Sequence, residues 1–132
     1  MRPLLFRAAA IVVLAGCAST NPGVPDFLDD VPVPKGFVRA GDDEETKSYY
    51  EKHDRFRNAR LSYRGKGHSG DITAFYQREM PAQSWKLENA TPGAADGSAT
   101  LTFLKELERA TIWVKPVEDG ESTFVTIEIR LK

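Results

Sequence analysis

One thiol, two imidazoles and a scatter of carboxylates are the groups in this 132-residue chain with types suited to chemistry. The thiol is Cys17, the only cysteine, and it follows the small residues Ala15 and Gly16. A cysteine reacts through its thiolate, and small neighbours leave the backbone open to a modifying enzyme. With no second cysteine, no intramolecular disulfide can form. The imidazoles are His53, beside Asp54, and His68, near Asp71. A metal site needs three or four ligands fixed by their neighbours. Both histidines are therefore expected at the surface, and no metal or cofactor is expected. Asp42-Asp43-Glu44-Glu45 lacks the alternate spacing and the glycine of a calcium loop, so a solvated turn is expected there. Gly65 and Gly67 around Lys66 match neither P-loop nor dinucleotide spacing and read as the flexible end of a strand. Glu79, Glu106, Glu108, Glu118 and Glu128 supply a hydrolytic pair only if the fold brings two together, and their spacing gives no reason for that. No Gly-x-Ser-x-Gly nucleophile turn occurs. No catalytic residue is assigned, and the chain is expected not to be an enzyme.

The surroundings of Cys17 carry more information. Arg2 and Arg7 lie near the start, Ala8 to Leu14 is an apolar run, and Leu14-Ala15-Gly16 precedes the cysteine. A charged start, an apolar middle and small residues at the cut form a secretory signal. The apolar run is too short to be a spanning anchor, which takes about 20 residues. Leu14-Ala15-Gly16-Cys17 resembles the lipobox of bacterial lipoprotein precursors. That resemblance implies a diacylglycerol on the Cys17 sulfur and cleavage just before it. It also implies a membrane held through lipid, outside the cytoplasm. Ala18 stands where relatives kept in the inner membrane often carry aspartate, so the resemblance points to the outer membrane, facing the periplasm.

Removing residues 1–16 leaves 116 of the 132 and takes the formal charge from −1 to −3, because Arg2 and Arg7 go with them. One domain of ordinary size fits that length. No basic footprint of a nucleic-acid binder is present. At 28% charged and 10% aromatic residues, the composition suits a folded domain. Residues 17–36 hold four prolines and two glycines and are expected to be a tether, with Phe27 and Leu28 apolar enough to dock. From Ala18 to Lys35, 18 residues of flexible coil span roughly 23 Å.

The single domain is expected over 37–132. Residues 47–52 are a candidate strand, and 58–64 alternate Ala59, Leu61 and Tyr63 against Arg60, Ser62 and Arg64. A helix is predicted over about 69–81. Ser69 or Asp71 is its expected cap, Ile72, Phe75, Tyr76 and Met80 form its apolar stripe, and Pro81 marks its end. Strands follow at 85–89, 100–105, 111–115 and 124–131, with Asp119-Gly120 at the centre of a hairpin turn.

Matching apolar faces predicts an α+β fold, an antiparallel sheet of four to six strands with one helix on one face. In the precursor an N-terminal signal helix precedes it. From Val33-Pro34-Lys35-Gly36-Phe37 through Phe75-Tyr76 and Met80-Pro81 to Leu101-Thr102-Phe103, the mature domain is similar to small bacterial lipoproteins of no assigned activity. Two functions follow as expectations. One is a non-enzymatic interaction or structural module in the cell envelope, with an envelope protein as its partner. The other is a small-ligand carrier or enzyme with a cavity of about 300 Å³ or more between helix and sheet. Alternation sends Trp113, Arg60, Arg64, Lys115 and Arg130 to the face opposite the helix, making them the candidate partner surface. Phe27, Leu28 or Phe37 folding over Trp113 is the competing expectation.

Overall fold

The computed structural model describes residues 28–40 and 48–132. The signal segment, Cys17, Phe27 and the acidic run 42–45 lie outside the described residues. The elements are β1 (Val38–Arg39), β2 (Tyr49–Lys52), β3 (Arg57–Lys66), α1 (Ser69–Ala82), β4 (Lys86–Pro92), β5 (Ala99–Lys105), β6 (Glu108–Pro116) and β7 (Ser122–Leu131). They form one antiparallel sheet in the order β1-β3-β7-β6-β5-β4. β2 also pairs with β3, through residues 57–60, so β1 and β2 occupy successive stretches of the same β3 edge. The architecture is α+β. Seven strands replace the four to six expected, because β1 is two residues long and shows no alternation to read.

β3 and β4 lie on opposite sides of the β7-β6-β5 trio, and α1 joins them by crossing one face. Its buried residues Ser69, Ile72, Tyr76 and Met80 recur at helical spacing. Beneath them the strands present Ala59, Leu61 and Tyr63, Val125, Ile127 and Ile129, Ala110, Ile112 and Val114, and Leu101 and Phe103. Register makes one layer of these, with Leu61 opposite Ile127, Ile127 opposite Ile112 and Ile112 opposite Leu101. Each large aliphatic side chain so buried contributes about 1.5–3 kcal/mol relative to exposure. Tyr76, Leu101 and Phe103 have no solvent-exposed area, and Ile127 and Ile129 pack with them in the same cluster, with Phe75 at its margin.

The cap of α1 is a correction. His68, not Ser69 or Asp71, takes the capping position, and its Nδ1 accepts a hydrogen bond from the Gly70 N–H at 3.1 Å. In an imidazole, Nδ1 sits as many bonds from Cα as an asparagine side-chain oxygen, so histidine can imitate the usual cap. Ser69 is inside the first turn, where its carbonyl accepts from the Thr73 hydroxyl at 2.9 Å. Pro81 does not stop the helix at once, and α1 runs one residue further to Ala82. Ser84, at φ 68°, then turns the chain toward β4.

The Asp119-Gly120 turn forms as expected. Gly120 takes the left-handed conformation at φ 72°. The Asp119 carboxylate accepts from the Glu121 and Ser122 N–H groups at 2.9 and 2.8 Å. Hydrogen bonds from the Ser122 side chain and these two backbone groups lower its pKa to about 2.

The second correction concerns the expected tether. Leu28, Val31, Pro34 and Phe37 are all buried, so the packed part of the chain already includes Leu28 and does not start at residue 37. Phe37 explains Gly65, which lies inside β3 and does not end it. A side chain at Gly65 would collide with the Phe37 ring, so only glycine lets the aromatic lie on the strand.

Candidate functional site

Alternation divides each strand between two faces, and the face away from α1 can be read as cross-strand rows. Arg64, Phe124 and Lys115 form one row. Ser62, Thr126, Trp113 and Thr100 form the next, and Arg60, Glu128, Thr111 and Thr102 a third. Arg130 lies opposite Arg109 in a fourth. The fold therefore brings Arg60, Arg64, Trp113, Lys115 and Arg130 onto one face. Trp113 retains 37% of its surface exposed, while its neighbours Ile112 and Val114 are buried. Leu28 belongs to the helix-side core cluster and Phe37 lies on Gly65 of that same side. The expectation that either covers Trp113 is thereby overturned.

The face is polar but not loose. The Ser62 and Thr126 hydroxyls are buried and lie 3.1 Å apart, locking β3 to β7 beside Trp113. Arg130 is 2.9 Å from Glu128, and a hydrogen bond with Tyr49 and the Glu128 charge raise its pKa. Arg64 reaches Asp119 of the turn at 3.3 Å, and Arg109 reaches Glu88 at 3.4 Å. Tyr49, Lys66 and Arg109 join this face by register but were missed from sequence. Reading β6 from residue 111 omits its first three residues, and carrying the alternation back to Arg109 would have found one of them.

A second constellation lies at the base of the helix side. Arg57 donates from Nε and Nη2 to Glu108, at 3.0 and 2.6 Å to its two oxygens, and from Nη1 and Nη2 to Asp30 at 2.7 and 3.1 Å. Its backbone N–H also donates to Glu108 at 2.7 Å. Lys105 Nζ donates to Asp30 Oδ2 at 2.7 Å, sharing that oxygen with Arg57 Nη2, and to the Gln83 carbonyl at 2.9 Å. Both cations lie against the Trp85 ring, whose N–H donates to the Asp30 carbonyl at 3.1 Å. Burial works to raise the Asp30 pKa, but hydrogen bonds from Arg57 and Lys105, with their charges, outweigh it and hold the group below its usual value. Burial works likewise against the Arg57 charge, and its bonds to Glu108 and Asp30 raise its pKa in spite of it. Two carboxylates do converge here, Glu108 with Asp30, but each is engaged by a guanidinium. The arrangement clamps residues 28–31 to the sheet.

His53 stacks on Phe56 at 4.5 Å beside an open cleft of about 520 Å³ lined by Lys52, Asp54, Arg55 and Leu107. A second cleft, of about 230 Å³, lies between the start of α1 and the β6–β7 turn. Among the described residues no three His, Asp or Glu side chains converge as a ligand group, and no helix is long and apolar enough to cross a membrane. No family model matches the chain, and neither a curated protein nor a solved structure matches it.

Proposed function

We propose that this chain is a lipid-anchored bacterial envelope protein that works as a non-enzymatic interaction or structural module, on the outer membrane facing the periplasm. The observation that carries the reading is Leu14-Ala15-Gly16-Cys17 behind Arg2, Arg7 and the apolar run from Ala8 to Leu14. Two acyl chains on a Cys17-linked glycerol would make a durable anchor, since each buried methylene contributes about 0.8 kcal/mol and one chain alone holds only marginally. The docking of residues 28–37 supports a module held close to its membrane. Ten residues, Ala18 to Phe27, separate the anchor from Leu28, in place of the 18 from Ala18 to Lys35. The face bearing Trp113 and its basic neighbours is the contact surface in this reading, as Trp and Arg are enriched at binding hot spots.

Metabolic labelling with a fatty-acid probe tests the anchor. The wild-type chain should take up label and fractionate with membranes, and Cys17→Ala should do neither. Label retained by Cys17→Ala would refute the reading.

A further inference from the structure

We infer that the uncovered face of the sheet docks on an anionic lipid surface, so that the domain lies against the bilayer that anchors it. The inference rests on the lipid-anchor reading above. Three observations carry it: the sign of the charge on this face, the aromatic at its centre, and the place where the tether enters.

Across β3, β7 and β6 the face carries Arg60, Arg64, Lys66, Arg109, Lys115 and Arg130 against Glu128 alone. The whole chain has a net charge of −1, so this excess is local. Some of it is offset at the rim, where Asp119 meets Arg64 and Glu88 meets Arg109, and Glu128 meets Arg130. Arg60, Lys66 and Lys115 have no carboxylate partner among the described residues. Cations left unpaired on one face are attracted to anionic headgroups, and the attraction falls off within a Debye length. Trp113 stands among them, over a third exposed to solvent. An indole with an apolar body and a polar N–H suits the headgroup level of a bilayer.

The tether brings the face within range. Asp30 is clamped to Arg57 at the start of β3 and to Lys105 at the end of β5. The chain thus enters at the end of the sheet where the Arg109–Arg130 row lies on the other face. Ten residues reach at most about 33–36 Å even fully extended. A domain pivoting at that end can lay its basic face on the membrane without leaving the anchor. A protein partner of negative charge would be a different occupant, and the experiment separates the two.

The chain has two tryptophans, Trp113 and Trp85, the latter only 2% exposed. Bilayer-embedded quenchers will therefore report on Trp113. The full lipidated chain is reconstituted into vesicles of phosphatidylcholine alone or mixed with phosphatidylglycerol, each containing brominated lipid. Quenching of Trp113 is expected in the anionic vesicles only, with loss at high salt. Lys66→Glu with Lys115→Glu, both exposed positions, should abolish it, and Arg78→Glu on the exposed side of α1 should leave it unchanged. An anchored chain whose Trp113 stays unquenched in anionic vesicles overturns the docking but leaves the anchor standing. So does equal quenching without anionic lipid, or quenching that survives the double substitution. Unquenched Trp113 together with a crosslink to one envelope protein that Trp113→Ala abolishes would assign the face to that protein. A chain that takes no lipid and does not float with vesicles fails the anchor reading itself.

Discussion

Arg57 and Arg60 stand three residues apart on β3 and end in opposite conditions. Arg57 points to the helix side, where Glu108 and Asp30 hold every edge of its guanidinium. Arg60 points to the other side, opposite Glu128 in register but with no ion pair to it among the described residues. The odd and even positions of one strand face different solvents. Where α1, Trp85 and residues 28–37 exclude water, a charge must be paired, because an unpaired buried ion is costly. Where water remains, cations can stand without anions, and their field extends outward. The helix side is thus a place where charges have been used up in assembly, and the uncovered side a place where they stay available.

The largest effects should come from the helix side. Phe103→Ala removes a fully buried ring opposite Ala110 and should cost about 3–5 kcal/mol, read as a fall in melting temperature. Ile127→Ala should cost about 2–5 kcal/mol by the same means. A wild-type melting temperature for either would break the assignment of faces.

Next comes the clamp. Glu108→Gln leaves one carbonyl acceptor but strips the charge from beneath Arg57. It should cost about 3 kcal/mol, the low end for breaking a buried pair. Lys115→Gln, at an exposed position of the other face, should move stability by no more than about 0.5 kcal/mol, as surface changes do. Equal costs for the two substitutions, in chemical denaturation, would erase the contrast between the faces.

Acid should release the clamp at a defined end of the pH scale. The Asp30 carboxyl has a folded pKa below its ordinary 3.8. Its contribution is therefore present above 3.8 and is lost as pH falls through the lower folded value. Asp30→Asn should remove about 1–2 kcal/mol at neutral pH and flatten that acid limb. Trp85 reports the event, because its N–H is bonded to the Asp30 carbonyl. In a Trp113→Phe background its emission should change on acidification in the wild-type clamp and not along the same curve in Asp30→Asn.

What could be read from sequence follows the same division. Alternation in β6 and β7 and the spacing of Ile72, Tyr76 and Met80 are local patterns, and the sheet, the helix and the orientation of Trp113 came from them. The clamp is not local. Asp30 meets Arg57 across 27 positions and Lys105 across 75, and nothing around Val-Pro-Val-Pro distinguishes a docked segment from a free one. β1 is too short to show a period, and it exists because Phe37 packs on Gly65 and brings Val38 and Arg39 beside β3. The His68 cap was missed because residue preference favours the serine next to it, while the geometry needed only a nitrogen two bonds beyond Cβ.

The sharpest test of the contrast pairs Ile112 with Trp113. They are consecutive in β6 and point opposite ways, Ile112 fully buried and Trp113 over a third exposed. Ile112→Ala should cost about 2–5 kcal/mol through the cavity it leaves between Ile127 and Leu101. Trp113→Thr keeps a β-branched residue in the strand, between Thr126 and Thr100 in its row. It should cost less than about 1 kcal/mol, within the range of strand preference. Thr cannot replace the indole at a contact surface, so binding should fall while melting hardly moves. If Trp113→Thr melts as far below wild type as Ile112→Ala, the indole is part of the packed core and the outer face is closed. If melting and binding both stay at wild-type values, Trp113 is an ordinary surface residue and the contact must lie elsewhere.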